Sequence, residues 1–310
     1  MSVNTPSTVA GVARAAMLVD LNIALYSGRK QDKRTQAEVV ASKNAGSSRA
    51  ASVYKNLFSN CKELDAITKF QARVRAEHYR LTLPWDDRGA RLLPTAAMMD
   101  YQAAMNRFSA EFDMLVGAFL DKYDTLVAAA AFQLGSLFDR SEYLTRNQVA
   151  RRFRMDVAYT PLPTAGDFRL DIESAVQQEL VEKYEKRIES QLAQANRDSW
   201  RRLYDALTRL SDRLVVEEDG KKRVFHDTMV TGAIELCDLL TQMNITHDPE
   251  LESARRKLEV ALAGITPDEL RKEDGTRTVT KQRVDEILSA FDWGDVVDEE
   301  EDDTQGEAIA

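Results

Sequence analysis

Glycine and proline are scarce, 13 and seven in 310 residues, about half their combined average usage. That shortage argues against turn-rich β-sandwiches and barrels and leaves helix as the dominant element. Cysteine is rarer. Cys61 and Cys237 form no CxxC pair and follow no secretory signal, which excludes a disulfide scaffold and a cysteine-based zinc module and points to a reducing cytoplasm. Long apolar runs are missing too. The longest, Leu126–Phe132, is mostly alanine and far shorter than the roughly 20 residues of a membrane span. The three histidines, His78, His226 and His247, make no HExxH pair. The glycines form neither GxGxxG nor GxxxxGK[ST], and there is no GxSxG, so the local signatures of zinc proteases, nucleotide cradles and serine hydrolases are absent. No catalytic residue, metal ligand or cofactor is assigned.

What the chain does have is a 44% hydrophobic content, enough for a sizeable core, and a charge divided along its length. The net charge is −9, yet residues 291–310 carry nine carboxylates and no lysine or arginine. The rest is neutral overall, and Met1–Pro84 holds 13 basic residues against six acidic ones. A basic N-terminal third and an acidic C-terminal tail either attract each other or meet different partners, through a field that fades over about 8 Å at physiological salt.

Periodicity supplies the elements. Val19, Leu21, Ile23 and Leu25 alternate with polar or small neighbours, the period-2 mark of a half-buried strand ending at Ser27-Gly28. Arg29–Arg34 is too polar for core, and Ser42–Ser48 is a connection. Val53, Leu57 and Phe58 suggest a short helix. Leu64, Ile67, Phe70 and Val74 mark the next, and residues 95–134 form one long helix. Phe153, Met155, Val157 and Tyr159 alternate as a second strand; Phe168, Leu170 and Ile172 as a third. Asp171–Val215 has no glycine or proline and one apolar stripe, so it reads as a long amphipathic helix. Glu218–Lys221 is a turn and Asp227–Met243 a further helix. Asp248-Pro249 places an N-cap and N1 proline before Glu250–Ala263, and Thr266–Glu269 is a capping box. Thr280–Phe291 is the last helix. The expected fold is mainly α within the α+β class: an elongated helical bundle or hairpin with a small antiparallel sheet. It divides into a flexible arm (1–16), a mainly helical body (17–290) and a disordered acidic tail (291–310).

Two sets of residues are candidates for recognition. The loop Thr82–Pro94 places Trp85, Asp86, Asp87, Arg88 and Arg91 between prolines. Trp85 would anchor it while an acid pairs with an arginine, and the five form a partner-binding surface. The basic runs, Arg29, Lys30, Lys33 and Arg34 with Arg151, Arg152 and Arg154, are the alternative, a set that would contact phosphates with Phe153 or Tyr159 as base-stacking platforms. The tail would then compete with nucleic acid for that surface.

The run Leu18–Asn22 followed by Tyr26-Ser27-Gly28-Arg29, the loop Thr82–Pro94, Leu137-Phe138-Asp139, Thr160–Leu170 and Asp198-Ser199-Trp200-Arg201-Arg202-Leu203 resemble, as a set, an uncharacterised domain family of tailed phages and mobile elements. The likeness spans residues 17–260. It carries no activity across; it implies a context, since members are encoded near MoxR-type AAA ATPases and von Willebrand A-domain proteins. The expectation is a non-enzymatic assembly or adaptor protein in the cytoplasm of an infected bacterium, a homo-oligomer with such proteins as partners and no membrane contact. A single-stranded nucleic-acid-binding accessory factor is the alternative.

Overall fold

In the computed structural model, residues 11–12, 14–86, 89–162, 174–216, 225–294 and 296 are described. The order of elements is β1 (Ala16–Ala24), β2 (Arg29–Gln31), α1 (Lys33–Ser42), β3 (Tyr54–Asn56), α2 (Lys62–Leu81), β4 (Leu83–Pro84), β5 (Arg91–Pro94), α3 (Met98–Leu134), α4 (Arg146–Ala150) and β6 (Arg154–Pro161). There follow α5 (Ser174–Leu214), α6 (Thr228–Met243), α7 (Pro249–Leu262), α8 (Pro267–Lys272) and α9 (Asp274–Ala290). The protein is mainly helical with a small antiparallel sheet in the order β4-β5-β1-β6. β1 pairs with β5 from Ala16 opposite Pro94 to Val19 opposite Arg91. No helix among the described residues is long and apolar enough to cross a membrane.

The chain forms two compact units. Residues 1–20, 79–101 and 159–310 make a helical unit. Its core is the stripe expected on the long amphipathic helix: Leu203, Leu207, Leu210 and Leu214 of α5 meet Val230, Ala233, Cys237 and Leu240 of α6, Leu251, Ala254 and Leu258 of α7, and Val284 and Ile287 of α9. These leucines recur at three and four residues, so they share one face of the helix. Asp248 caps α7 by accepting from the N–H groups of Glu250 and Leu251. The same carboxylate accepts from Asn196 and the Trp200 indole of α5, so one side chain both starts a helix and docks it. The capping box at Thr266 and Glu269 opens α8 as expected.

Two arginines close three helix ends in this unit where no glycine is present. Arg202 donates to the carbonyls of Tyr79, Arg80 and Thr82 at the end of α2. Arg277, 1% exposed, donates to the carbonyls of Leu214, Arg213 and Leu270 at the ends of α5 and α8. Trp293, only 8% exposed, packs on Trp200 and Tyr204, and Val296 is also buried. Packed chain thus continues past residue 291, where the sequence alone had the tail begin.

Residues 21–78 and 102–158 make the second unit, organised by aromatic rings. Phe58 lies at its centre with Tyr26, Phe119, Tyr123 and Tyr143 within 6.3 Å centroid to centroid. The Tyr143 hydroxyl donates to the Leu57 carbonyl and that of Tyr123 to the Leu144 carbonyl. Gly28 is needed here for two reasons. Its φ is +60° and a Cβ would lie 3.2 Å from Phe58 and Leu64.

Three sequence readings are revised. Tyr54–Asn56 is a strand, not part of a short helix: β3 pairs with β2, and the bonds Asp32 N–H to Val53 and Leu57 N–H to Gly28 extend the ladder. The spacing of Val53, Leu57 and Phe58 imitates a helix because strand and following turn bury them one after another. The polar run at Arg29–Arg34 is β2 and the start of α1, which the sequence concealed because α1 buries no residue. The last helix begins at Asp274, earlier than Thr280. The proposed third strand and the turn at Glu218–Lys221 lie outside the described residues.

Replacing Arg277 with methionine strands three carbonyls in a dry site at about 1–3 kcal/mol each. We expect the R277M unfolding free energy, from urea titration, to fall by about 3 kcal/mol or more, with R277K recovering only part because one ammonium cannot span the three acceptors. An unchanged midpoint would show that those carbonyls need no guanidinium.

Candidate functional site

The Thr82–Pro94 loop is engaged internally. Trp85 is 6% exposed and its carbonyl accepts from Gln191. Asp86 closes the loop by accepting from the Ala90 N–H. Arg91 donates to the hydroxyl and carbonyl of Thr82 and lies over the Tyr79 ring, 4.8 Å from its centroid. The anchoring role expected of Trp85 is what the fold uses, and the indole and guanidinium face inward. Asp87 and Arg88 lie outside the described residues.

The basic runs are placed differently. Arg29, Lys30, Lys33, Arg34, Arg151, Arg152 and Arg154 are all exposed, and all belong to the aromatic unit. Phe153 is not a free stacking platform: its ring sits 6.4 Å from Tyr26, 6.5 Å from Phe112 and 5.8 Å from Phe119. Tyr159 is 38% exposed with its ring at 6.3 Å from Tyr101.

Lys30, Lys33 and Arg34 open onto a polar cleft of about 740 Å³, with Lys55 and the two short turns Gly135–Leu137 and Arg140–Glu142 as further walls. Arg29 and the three arginines at 151–154 are not among its lining residues. Lys55, its side chain 10% exposed, contacts the carboxylates of Glu142 at 2.8 Å and Asp32 at 3.7 Å and donates to the Leu137 carbonyl. Burial opposes its charge, but Glu142, Asp32 and Asp139 outweigh that and hold the lysine pKa above its ordinary value. Asp32 accepts from the N–H groups of Arg34 and Thr35 as the N-cap of α1. Its pKa is lowered, first by the Thr35 N–H, against some desolvation, and then by the Thr35 hydroxyl and Lys55. Asp139 caps its own turn through Ser141.

Sequence reasoning found the rim of this cleft and missed its floor. Lys55, Glu142 and Arg140 carry no local signature; they share a cleft with Asp32 only through the pairing of β3 with β2 and the course of the 135–142 turns. The Cys61 and Cys237 thiols offer no nucleophile: both are buried, and burial pushes Cys61 up and Cys237 up to about 11. Among the described residues no three His, Cys, Asp or Glu side chains are grouped to hold a metal ion.

No family model, curated protein or solved structure matches this chain. The phage-family resemblance rests on the quoted motifs alone.

Because the Asp32 pKa is depressed when folded, its contribution to stability is present above the ordinary carboxylate value of 3.8 and is lost as the pH falls below it. D32N should therefore be less stable than the natural protein at neutral pH and converge with it in acid. Urea midpoints at pH 7 and pH 3 test this, and a gap of equal size at both would refute it.

Proposed function

We propose that this protein is a non-enzymatic phage assembly or adaptor protein acting in the cytoplasm of the infected bacterium, joining partners of opposite charge. The carrying observation is that charge divides at the unit boundary. Residues 21–78 and 102–158 hold 18 lysines and arginines against 12 carboxylates, whereas the remaining segments hold 24 against 39. One chain thereby presents a basic body and an acidic one, and electrostatic complementarity selects partners and speeds their encounter. Exposed apolar side chains of the helical unit, Val260 at 69%, Val279 at 49% and Ile234 at 42%, add surface of the kind interfaces bury. The resemblance supplies the candidates: an AAA ATPase and a von Willebrand A-domain protein encoded nearby, together with further copies of this chain.

A second reading, single-stranded nucleic-acid binding by the aromatic unit, is favoured by one observation. All seven cations assigned to it from sequence are exposed there. Stacking contributes little to this reading because Phe153 is packed, so affinity would come from phosphate contacts and be steeply salt-dependent.

Tagged full-length protein in an infected-cell extract should retain the ATPase and the A-domain protein at low salt and release them as salt rises. A strictly monomeric protein by light scattering that retains neither overturns the adaptor reading. For the second reading the tail is removed after Val296, not at 291, since Trp293 belongs to the core. The 1–296 protein should bind single-stranded DNA more tightly than the full chain at low salt, and equal affinities would remove tail competition from the account.

A further inference from the structure

The register of the small β2–β3 ribbon sets Lys30 directly opposite Lys55. Directly opposed residues point to the same face, about 4.5–5.5 Å apart at Cβ, and like charges in that position are destabilising. Both lysines line the polar cleft of the aromatic unit. Internal carboxylates balance only one of them: Asp32 and Glu142 both lie against Lys55. The other acids of the cleft are engaged as well, Glu38 with Arg34 at 3.5 Å and Asp139 with Ser141. Asp32 already fills the N-terminus of α1, so that terminus offers no vacancy. Lys30 and Lys33 remain as exposed ammonium groups, and Arg140 commits one nitrogen to the Tyr143 carbonyl. The lining thus sets five cations, Lys30, Lys33, Arg34, Lys55 and Arg140, against four carboxylates, Asp32, Glu38, Asp139 and Glu142, one positive charge in excess, with Lys30, Lys33 and Arg140 as the cations that no carboxylate touches.

We propose that this cleft is a phosphate-binding site in which Lys30, Lys33 and Arg140 hold the anion and the Lys55–Glu142–Asp32 cluster forms its fixed floor. The inference rests on the second reading above when the phosphate is a phosphodiester of single-stranded nucleic acid, and stands without it when the phosphate belongs to a free nucleotide. Three mobile or forked donors suit a tetrahedral anion, with the guanidinium supplying directional bonds and the ammonium groups charge.

The test is binding of the full chain to fluorescent oligothymidylate and, separately, to ATP by calorimetry. The variants are K30E/K33E and, as a control of equal charge change per site, K69E at an exposed position of α2 outside the cleft. Loss of two charge-assisted contacts should weaken binding about tenfold or more in K30E/K33E, with less than about twofold change in K69E. Folding is checked by thermal melting, where K30E/K33E should melt within a few degrees of the natural protein because both positions are exposed. Oligothymidylate binding lost in the cleft variant supports both the site and the nucleic-acid reading. ATP binding lost in that variant, with no oligonucleotide binding by either protein, supports the site and removes the nucleic-acid reading. Oligonucleotide binding reduced equally by K69E leaves that reading and overturns the site, and binding of neither ligand overturns the site as well.

Discussion

The unsatisfied carbonyls at helix ends are the constraint on which the helical unit depends. Every α-helix leaves its last four carbonyls without intrahelical donors, and the common remedy is a glycine in the left-handed conformation just past the end. This chain has little glycine, and at three ends it uses arginine instead. Arg202 reaches from α5 to the three carbonyls that close α2, and Arg277 reaches from α9 to the ends of α5 and α8. A guanidinium has five donors in a rigid fork and opposes the negative pole of the helix dipole. It can therefore terminate a helix and fix its neighbour together, which a glycine cannot do. The leucine stripe of α5 brings the helices together without choosing their axial register; these directional bonds choose it.

The same economy explains the Thr82–Pro94 loop. It follows the α2 end that Arg202 closes, and Arg91 adds further bonds to Thr82 from β5, while its face stacks on Tyr79. Aromatic and charged side chains crowded between prolines look like a recognition motif in one dimension. In three dimensions Trp85 and Arg91 tie the last residues of α2, β4 and β5 to α5.

How much of this was legible follows from the range of each interaction. Elements dictated by local chemistry were readable: the stripe from Leu203 to Leu214, the N-cap at Asp248, the capping box at Thr266, the alternation in β1 and β6. Elements dictated by distant partners were not. β2 and β3 are three residues each and carry mostly polar side chains, so no periodicity announces them; they exist because they pair with each other above the Phe58 cluster. Lys55 was hidden by the same cause, since a lysine between Tyr54 and Asn56 looks like surface until Asp32 and Glu142 close around it. Trp293 lay too near the acidic run to be read as core, although its indole donates to the Leu288 carbonyl at 2.7 Å.

Internal pairing is what separates structural charge from available charge. The sequence presents basic residues by the dozen, and their number alone assigns nothing. Once the bonds are drawn, Arg91, Arg202 and Arg277 are engaged by carbonyls, Arg255 by Glu252 and Glu259, and Lys55 by Asp32 and Glu142. What remains exposed in the aromatic unit includes the seven cations of the segments 29–34 and 151–154. The ribbon keeps Lys30 opposite Lys55, sets two carboxylates against the buried member and leaves the exposed one to solvent.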